Sequence, residues 1–315
     1  MSATRTIFDK DHEEFRTLVK EFLAHEVLPH AQEWLETGYV DKAAYMAAAK
    51  QGVIGFAVPA EYGGLGIDDF RYNAIVAEEI SRAGAGANGL ALTLINDILL
   101  PYLLRLTDEE QKQRWLVPLA KGEMTFAIGM SEPNAGSDMA GIRTTAVRDG
   151  DEWVINGQKT FISNGRLCDA VVVVCRTDPD AGHKGFSLIV VEDGAPGFEK
   201  GRKLDKIGLD AQDTAELFFS DCRVPVSNLL GTEGRGFIHL VENLPSERLS
   251  IAIGAIAGAH RTFEDTVQYA KERQAFGQSI GFFQHNRFLL AEMSTELDIA
   301  QVYIDECIRG CSTEP

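Results

Sequence analysis

The sequence has no apolar run of about 18 residues, the length that a helix needs to cross a membrane. Residues 1–9 also lack the apolar core of a signal peptide and carry one arginine. We therefore expect a protein of 315 residues that neither spans a membrane nor carries a leader for export.

Cysteine is scarce, with five residues dispersed at positions 168, 175, 222, 307 and 311. Only Cys307 and Cys311 share a helical spacing, so neither a disulfide framework nor a zinc site is indicated. Few and dispersed cysteines are typical of proteins in a reducing compartment. The sequence thus predicts a cytoplasmic protein without a bound metal.

Positive charge is also in short supply, because 30 Lys and Arg residues face 47 Asp and Glu residues and the formal net charge is −17. No concentrated basic stripe interrupts this excess. A phosphate backbone or an anionic membrane surface would repel such a chain, so we expect neither as a partner. Hydrophobic residues make up 45%, which is enough for the cores of two or three domains.

Helical periodicity extends from about residue 11 to residue 122. Apolar residues recur at intervals of three and four, and Asp11 with Glu14 has the spacing of a capping box. Thr107 and Glu110 repeat that spacing before a later helix. The pattern predicts an N-terminal helical domain over 1–122. Further helices are predicted over 42–51, 69–82 and 88–106.

Residues 84–89, Gly-Ala-Gly-Ala-Asn-Gly, match the dinucleotide-binding fingerprint letter for letter. That fingerprint binds a pyrophosphate where its first glycine closes a strand and its last glycine opens a helix. The segment follows a predicted helix instead. We therefore interpret it as a connection between helices.

Past residue 122 the apolar period changes to two, while Asp149-Gly150 and Asn156-Gly157 have the composition of tight hairpin turns. Because no helical pattern intervenes, we expect antiparallel pairing and a small β-domain or barrel over 123–232. Helical spacing returns at about 237–309, within a C-terminal domain over 233–315. The predicted fold is α+β, with helical, β-barrel and helical domains in that order. The predicted strands are 125–130, 143–148, 152–155, 171–175, 186–191 and 214–219.

The stretch from Phe126 to Asp138, Phe-Ala-Ile-Gly-Met-Ser-Glu-Pro-Asn-Ala-Gly-Ser-Asp, closes one of these strands with a turn. Its alternating apolar residues suit a half-buried strand. The turn carries two serine hydroxyls, a glycine and backbone N–H groups with little side-chain bulk, so it can approach a flat ring or a phosphate closely. An ordinary surface turn is the alternative interpretation.

This stretch resembles the flavin-facing signature of the acyl-CoA dehydrogenases, and Phe161-Ile162-Ser163-Asn164-Gly165 strengthens the resemblance. Residues 206–219 and 244–249 are most similar to the long-chain branch of that family. The resemblance implies FAD as cofactor, acyl-CoA as substrate, an electron-transfer flavoprotein as electron acceptor and a homo-oligomer, either a dimer or a tetramer. The family's Gln-x-x-Gly-Gly-x-Gly stretch is absent, so we expect a C-terminally short bundle that binds FAD weakly.

The implied reaction is an α,β-dehydrogenation of a thioester to a trans-2-enoyl-CoA. A carboxylate must take the weakly acidic α-hydrogen in a dry pocket, while the β-hydrogen leaves as hydride to flavin N5. In the long-chain branch the base is a Glu just before an Arg, which corresponds here to Glu247 and Arg248. By composition alone, Glu247 is an exposed residue that pairs at a helix start.

The resemblance also implies roles for individual residues. The backbone from Ile128 to Ser131 faces the polar edge of the flavin ring. Phe161 covers the ring and Ser163 lies beside N5, while Arg273, Phe276 and Gln284 serve the FAD of a neighbouring subunit. The implied cofactor-binding residues are Ile128, Met130, Ser131, Gly136, Ser137, Phe161, Ile162, Ser163, Arg273, Phe276 and Gln284. The implied substrate-binding residues are Ser137, Lys184, Ser246 and Arg248.

Several alternatives stay open. By residue type, Phe161 and Phe276 are equally well explained as core aromatics, and Arg273 as a surface charge. The same architecture also hosts acyl-CoA oxidases and flavin monooxygenases, in which oxygen attacks the reduced flavin. An inactive partner subunit of a larger flavoprotein is a third interpretation.

Overall fold

The computed structural model describes residues 5–84 and 91–313, which fall into two compact units. The described residues of 1–24, 69–86 and 246–315 form the first, here called the helical unit. Those of 25–68 and 87–245 form the second, the sheet unit. The boundaries of these two compact units therefore differ from the domain boundaries predicted near residues 122 and 232. Apart from Gly84, the dinucleotide-like segment lies outside the described residues.

Helices occupy most of the first 120 residues and of the chain after residue 235. The predicted helices over 42–51 and 69–82 are confirmed, and the helix predicted over 88–106 contains wider turns at Leu94–Leu99. Within the described ranges, no helix has both the length and the apolar content needed to cross a bilayer. The helices are α1 (Lys10–Phe22), α2 (Ala31–Thr37), α3 (Lys42–Lys50), α4 (Phe70–Arg82), α5 (Leu100–Leu106), α6 (Glu109–Gln111), α7 (Val117–Ala120), α8 (Gly236–Glu272) and α9 (Gln284–Thr313).

The first helix begins two residues earlier than its predicted capping box. The Asp9 carboxylate accepts the N–H groups of Asp11 (3.1 Å) and His12 (3.3 Å), and His12 Nδ1 accepts the Asp9 N–H in return. The predicted pair of Asp11 and Glu14 is wrong because Asp11 lies inside the first turn, where its charge suits the positive end of the helix.

A similar shift occurs at α6. Asp108 accepts the Gln111 N–H at 2.8 Å, and the Gln111 side chain accepts the Asp108 N–H at 3.1 Å. Thr107 cannot take the predicted capping role with Glu110 because its hydroxyl donates to the Leu103 carbonyl of the preceding helix.

The helical unit combines a small apolar core with a buried ionic network. Glu78 and Glu79 are only 2% and 4% exposed, yet both are paired with arginines. Arg5 bridges Glu78 and Asp305, while Arg16 bridges Glu78 and Glu79. Such pairing is required because an unpaired buried carboxylate is costly. The core itself consists of Ile7, Ala74, Ala77, Ile253 and Ile308.

The sheet unit contains eight strands in one sheet, in the order β6-β7-β3-β2-β4-β5-β8, with β1 beside β4. The described pairing is an open path that ends at β6 and β8, so closure into a barrel remains a prediction. The strands are β1 (Phe126–Gly129), β2 (Thr145–Asp149), β3 (Glu152–Ser163), β4 (Ala170–Arg176), β5 (Phe186–Glu192), β6 (Phe198–Lys203), β7 (Thr214–Pro225) and β8 (Leu229–Leu230).

Most neighbours in this sheet are antiparallel, as expected, but β1 runs parallel to β4 with Phe126 opposite Ala170. A second parallel bridge joins β2 to β4 through Thr145 and Arg176. Parallel strands need a long connection, and the β2–β3 hairpin together with its loops supplies one between β1 and β4. The expectation of purely antiparallel pairing is therefore wrong.

The predicted turn at Asn156-Gly157 is instead part of the long strand β3. The pairing of β3 with β7 shifts register between Ile155 and Gly157, where Gly157 has φ +149°. A Cβ atom on Gly157 would lie 2.5 Å from Thr144 Oγ1. The glycine is therefore needed for a bulge and a close approach to the neighbouring strand.

Candidate active site

The predicted ligand loop follows β1 directly and contains a tight turn. The Glu132 N–H donates to the Ala135 carbonyl at 2.8 Å, and the Ala135 N–H donates back to the Glu132 carbonyl at 3.1 Å. This reciprocal pair turns the chain, so that Gly136 and Ser137 are exposed. The strand-then-turn geometry predicted for this stretch is confirmed.

Glu132 points inward and fixes the loop to the sheet. Its side chain is 7% exposed, and its oxygens accept the N–H groups of Arg143 (2.7 Å) and Thr144 (2.9 Å). The fully buried Lys159 donates from Nζ to Glu132 at 2.8 Å and to the Met130 carbonyl at 3.2 Å. Burial alone would raise the pKa of Glu132, but the bonds from Lys159 and Thr144 lower it. The loop therefore rests on a buried ion pair.

Beside this loop, β3 bulges outward at the predicted flavin-covering aromatic. The Thr160 N–H donates to the Ser131 carbonyl at 2.9 Å, and the register with β7 shifts between Lys159 and Ile162. Phe161 adopts φ +58° and is 70% exposed. A bulky residue in this conformation is strained, and such strain is concentrated at functional sites. Phe161 is not a core aromatic.

Ile162 returns to the interior, where it is 3% exposed and joins the core of the sheet. Its side chain therefore cannot contact a cofactor, and only its backbone is available for the predicted role. This is a consequence of the strand period, because neighbours of an exposed residue point to the opposite face.

Ser163, the second predicted flavin residue on β3, is held from behind by the segment that leads into β7. Gln212 Nε2 donates to Ser163 Oγ at 3.0 Å. Asn164, with φ +61°, donates its N–H to the Asp213 carbonyl at 2.7 Å and its side-chain amide to the Phe126 carbonyl at 3.0 Å. These bonds tie Ser163 to β1 and β7 together.

Asp213 fixes the turn after Ser163. It is 4% exposed, and its Oδ2 accepts the N–H groups of Arg166 (2.6 Å) and Leu167 (2.9 Å). No hydrogen bond from the described residues reaches its other oxygen, Oδ1. Burial raises the pKa of Asp213 despite the two backbone donors.

The exposed part of the loop offers hydrogen-bond donors that the fold leaves unused. Within residues 5–84 and 91–313, no partner takes the N–H groups of Gly136 and Ser137 or the hydroxyls of Ser131 and Ser137. Clustered backbone N–H groups and hydroxyls suit a phosphate or the polar edge of a ring. This donor set therefore fits a flavin dinucleotide.

The predicted base lies in the helical unit. Glu247 is within α8 and is 6% exposed, so the interpretation of an exposed residue at a helix start is wrong. Pro245, two residues earlier, has no N–H and cannot donate to the Val241 carbonyl one turn before. Ser246 is half-buried and Arg248 is exposed, so of these three successive side chains only that of Glu247 is buried.

A short hairpin between α8 and α9 carries the residues expected to serve a neighbouring FAD. It consists of β9 (Gln274–Ala275) and β10 (Gln278–Ser279), with Phe276 and Gly277 at its tip. Both tip residues have positive φ, +53° and +78°, as a type I′ turn requires. Phe276 is 95% exposed and is not a core aromatic. Arg273 and Gln284, at the two ends of this segment, are exposed as well.

Comparison with known proteins agrees with these features. Family models for the N-terminal, middle and C-terminal domains of acyl-CoA dehydrogenase match residues 9–123, 127–222 and 234–315. The long-chain specific acyl-CoA dehydrogenase of Sus scrofa is 43% identical over 307 residues, which cover 97% of this chain and 71% of the relative. The chain belongs to the acyl-CoA dehydrogenase family.

Solved structures of the family share its fold. An acyl-CoA dehydrogenase from Geobacillus kaustophilus is similar with a TM-score of 0.94 and 45% identity, covering 97% of this chain and 80% of that one. A glutaryl-CoA dehydrogenase from Mycobacterium smegmatis, in complex with FADH2, is similar with a TM-score of 0.88 and 28% identity, covering 98% and 77%. Members of this acyl-CoA dehydrogenase family are FAD-dependent oxidoreductases that act on CH–CH bonds.

Within this family member, the described contacts bring together the predicted residues of the sheet unit: β1, the loop after it and the end of β3. Lys184, in a short turn before β5, is exposed and its side chain has no partner among the described residues. Glu247, Ser246, Arg248, Arg273, Phe276 and Gln284 belong to the helical unit.

Sequence reasoning missed four residues that support the candidate site: Glu132, Lys159, Gln212 and Asp213. A signal was present for Lys159, because a lysine inside a buried strand pattern demands a buried partner. Glu132, which lies in the predicted loop, is the acidic residue that could have been proposed as the partner of Lys159. No comparable periodic signal pointed to Gln212, whose partner is 49 residues away.

The sheet unit also contains a cavity elsewhere. It measures about 660 Å³ and is lined by residues of α3, of 51–55, of 63–65 and of 120–121. None of the predicted site residues lines it. Its titratable lining residues are two lysines, Lys50 and Lys121, so it contains no carboxylate that could serve as the expected base.

Proposed function

We propose that the chain catalyses the FAD-dependent α,β-dehydrogenation of an acyl-CoA thioester to a trans-2-enoyl-CoA, with Glu247 as the base. The observation that carries the proposal is the burial of Glu247, at 6% exposure, at the position where the long-chain branch has its catalytic carboxylate. Charged helix residues are ordinarily solvated, so the burial of Glu247 at this position supports a functional role in a family of oxidoreductases.

Glu247 accepts the α-proton of the thioester on its carboxylate. A base that is withdrawn from water meets a weakly acidic C–H without a competing hydration shell. Ser246 and Arg248, next to it in sequence, together with Ser137 and Lys184, contact the acyl-CoA. The positive charges of Lys184 and Arg248 suit the phosphates of the CoA moiety.

The sheet unit holds the cofactor. Ser131 and the backbone from Ile128 to Met130 bind the polar edge of the ring, while Gly136 and Ser137 donate to the pyrophosphate. Phe161 covers the ring, and the hydroxyl of Ser163 and the backbone of Ile162 contact its central part. FAD, when bound, supplies an oxidised N5 that accepts the β-hydrogen as hydride.

We further propose a homo-oligomer, a dimer or a tetramer, in which Arg273, Phe276 and Gln284 bind the FAD of a neighbouring subunit. The strained and almost fully exposed Phe276 supports this, because an aromatic ring held out at a hairpin tip is available to stack on an adenine. Electrons then pass to an electron-transfer flavoprotein, and the reaction takes place in the cytoplasm.

The decisive experiment replaces Glu247 by Gln in the FAD-loaded protein. Anaerobic mixing with a panel of acyl-CoAs measures bleaching of the flavin, and calorimetry measures acyl-CoA binding. We expect the rate of bleaching to fall by about 10²–10⁴-fold with binding retained, because only the proton acceptor is lost. Glu242→Gln, at an exposed carboxyl earlier on α8, is the matched control and should leave the rate unchanged.

An unchanged rate in Glu247→Gln would place the base elsewhere and refute the assignment. Oxygen consumed in proportion to enoyl-CoA formed, with release of hydrogen peroxide, would instead assign oxidase chemistry, and oxygen consumed with formation of an oxygenated product would assign monooxygenase chemistry. Absence of turnover with every acyl-CoA, despite bound FAD, would favour an inactive partner subunit.

A further inference from the structure

Gln212 turns its side-chain amide nitrogen toward the Ser163 hydroxyl. Gln212 Nε2 is the donor at 3.0 Å, and an amide NH₂ group has no acceptor capacity. Ser163 Oγ is therefore the acceptor, and its own proton must point to another group. No second hydrogen bond to the Ser163 hydroxyl exists within the described ranges 5–84 and 91–313, so this proton is available for a ligand.

Gln212 is itself held on several sides. Its backbone N–H donates to the Leu209 carbonyl at 2.9 Å, and its backbone carbonyl accepts from Lys206 Nζ at 2.6 Å. The residue is 9% exposed, so its side chain has little freedom to turn away. Ser163, on β3, is paired in register with Thr214 of β7. Donor and acceptor are thus both placed by the fold.

We infer that Gln212 is a positioning residue that makes the Ser163 hydroxyl a hydrogen-bond donor toward the flavin. The inference rests on the proposed function, in which Ser163 lies beside N5. An oxidised N5 offers a lone pair, and a donor on it withdraws electron density and favours hydride acceptance. Without Gln212 the hydroxyl could present either its proton or its oxygen, and the donation would be lost for part of the time.

Two substitutions of Gln212 separate polarity from packing. In Gln212→Glu an ionised carboxylate accepts only, so the Ser163 proton turns toward residue 212 and away from the flavin. In Gln212→Met a side chain of similar length has no strong polar atom, so the hydroxyl is free to rotate. Ser163→Ala removes the donor altogether and sets the full size of the effect. Gln158→Glu, at an exposed glutamine on β3, makes the same charge change away from Ser163.

The measurements are FAD affinity by fluorescence quenching of the apoprotein, the midpoint potential of bound FAD, and the kinetics of the reductive half-reaction. We expect Gln212→Glu to shift the potential to more negative values by as much as Ser163→Ala does, and to slow reduction about three- to tenfold. Gln212→Met should fall between these variants and the unchanged protein. FAD affinity and KM should remain nearly unchanged, whereas loss of mere structural support would weaken both.

A double variant, Ser163→Ala with Gln212→Glu, should lose no more than Ser163→Ala alone, because both changes remove one donation. A potential and a rate unaffected by either Gln212 substitution would overturn the inference, and Gln212→Met alone decides it if the Glu variant does not fold. An unaffected Ser163→Ala would overturn it too. In both cases loss of activity in Glu247→Gln would leave the proposed function standing, so the two hypotheses fail separately.

Discussion

The two units support their proposed site residues in different ways. In the sheet unit, Ser131 and Ser163 are fixed by buried partners, among them the Lys159–Glu132 ion pair and Gln212. In the helical unit, Arg273 and Phe276 lie on a small hairpin, and both are exposed to solvent. Ser131 and Ser163 are therefore preorganised by buried contacts, whereas Arg273 and Phe276 are exposed at the surface.

The same contrast holds for the two left-handed phenylalanines. Phe161 lies on a bulge in a strand that is paired on both sides, while Phe276 lies at the tip of a two-residue turn. Each conformation costs roughly 1–2 kcal/mol relative to an ordinary one. This difference agrees with the proposal that Phe161 covers the FAD of its own subunit and that Phe276 contacts the FAD of a neighbouring subunit.

The largest expected effect comes from breaking the buried ion pair. Lys159→Met keeps the length of the side chain but leaves Glu132 buried without its cation, which should lower the free energy of unfolding by about 3–5 kcal/mol. Urea unfolding of the apoprotein measures this as a shift in midpoint. Adding Glu132→Gln to Lys159→Met should recover part of the loss, since no uncompensated charge then remains.

Arg223→Met provides the control on the same sheet. Arg223 pairs with Asp149 and Glu152 at 3.0 and 2.9 Å, but its side chain is 43% exposed. Exposed pairs contribute about 0–1 kcal/mol, so this variant should be nearly as stable as the unchanged protein. Equal losses in Arg223→Met and Lys159→Met would show that preorganisation by burial is not what distinguishes the loop.

An intermediate effect is expected when each left-handed phenylalanine becomes glycine. Glycine tolerates positive φ, so stability should change by no more than about 1 kcal/mol in Phe161→Gly and Phe276→Gly. Lost ring contacts should still weaken FAD binding about tenfold in each. FAD titrations over a range of protein concentrations should separate the two variants.

The loss in Phe161→Gly should persist at every protein concentration, because the ring serves its own subunit. The loss in Phe276→Gly should disappear when the protein is diluted until the oligomer dissociates, because a separated subunit no longer benefits from its neighbour's ring. A defect in Phe276→Gly that survives dissociation would argue that both phenylalanines serve the same cofactor.

The sequence predicted helices and strands well where a periodic apolar pattern extended over a long segment. Six predicted strands are present, and the helices over 42–51 and 69–82 begin and end within one residue of their expected positions. Long-range pairing was harder to predict, because the parallel contact of β1 with β4 depends on a crossover rather than on local pattern. Strands β8, β9 and β10 have two residues each, too few to produce a periodic signal, and β6 (Phe-Glu-Lys-Gly-Arg-Lys) has a single apolar side chain and therefore no alternation.

For the site, the residues of 126–138 themselves indicated a turn that can approach a ligand, whereas its flavin role and the role of Glu247 as base are predictions that depend on the family resemblance. The residues behind the loop escaped prediction because a hydrogen bond such as that of Gln212 depends on three-dimensional placement, not on residue type. The exposure of Phe161 and Phe276 could not be predicted from residue type either, because apolar residues of this kind are usually expected in a core.

The smallest expected effect is on the pH dependence of stability. Glu132 and Asp213 should change the free energy of unfolding in opposite directions as the pH falls. The folded-state pKa of Glu132 lies below the ordinary 4.5, so its stabilisation is present above that pH and is lost as pH falls through the folded value. The pKa of Asp213 lies above the ordinary 3.8, so between 3.8 and the folded value the native state takes up a proton and acidification is stabilising. Urea unfolding at closely spaced acidic pH values measures both contributions.

Compared with the unchanged protein, Asp213→Asn should lose stability more steeply on acidification between pH 3.8 and the folded pKa of Asp213, and Glu132→Gln less steeply between pH 4.5 and the folded pKa of Glu132. One proton limits either change in slope to about 1.4 kcal/mol per pH unit. Asp213→Asn keeps an oxygen for the N–H groups of Arg166 and Leu167, so the turn after Ser163 is preserved while the titration is removed. Parallel slopes for Asp213→Asn and the unchanged protein would mean that the pKa of Asp213 is the same in the folded and unfolded states, and the contrast between the two carboxyls would then be lost.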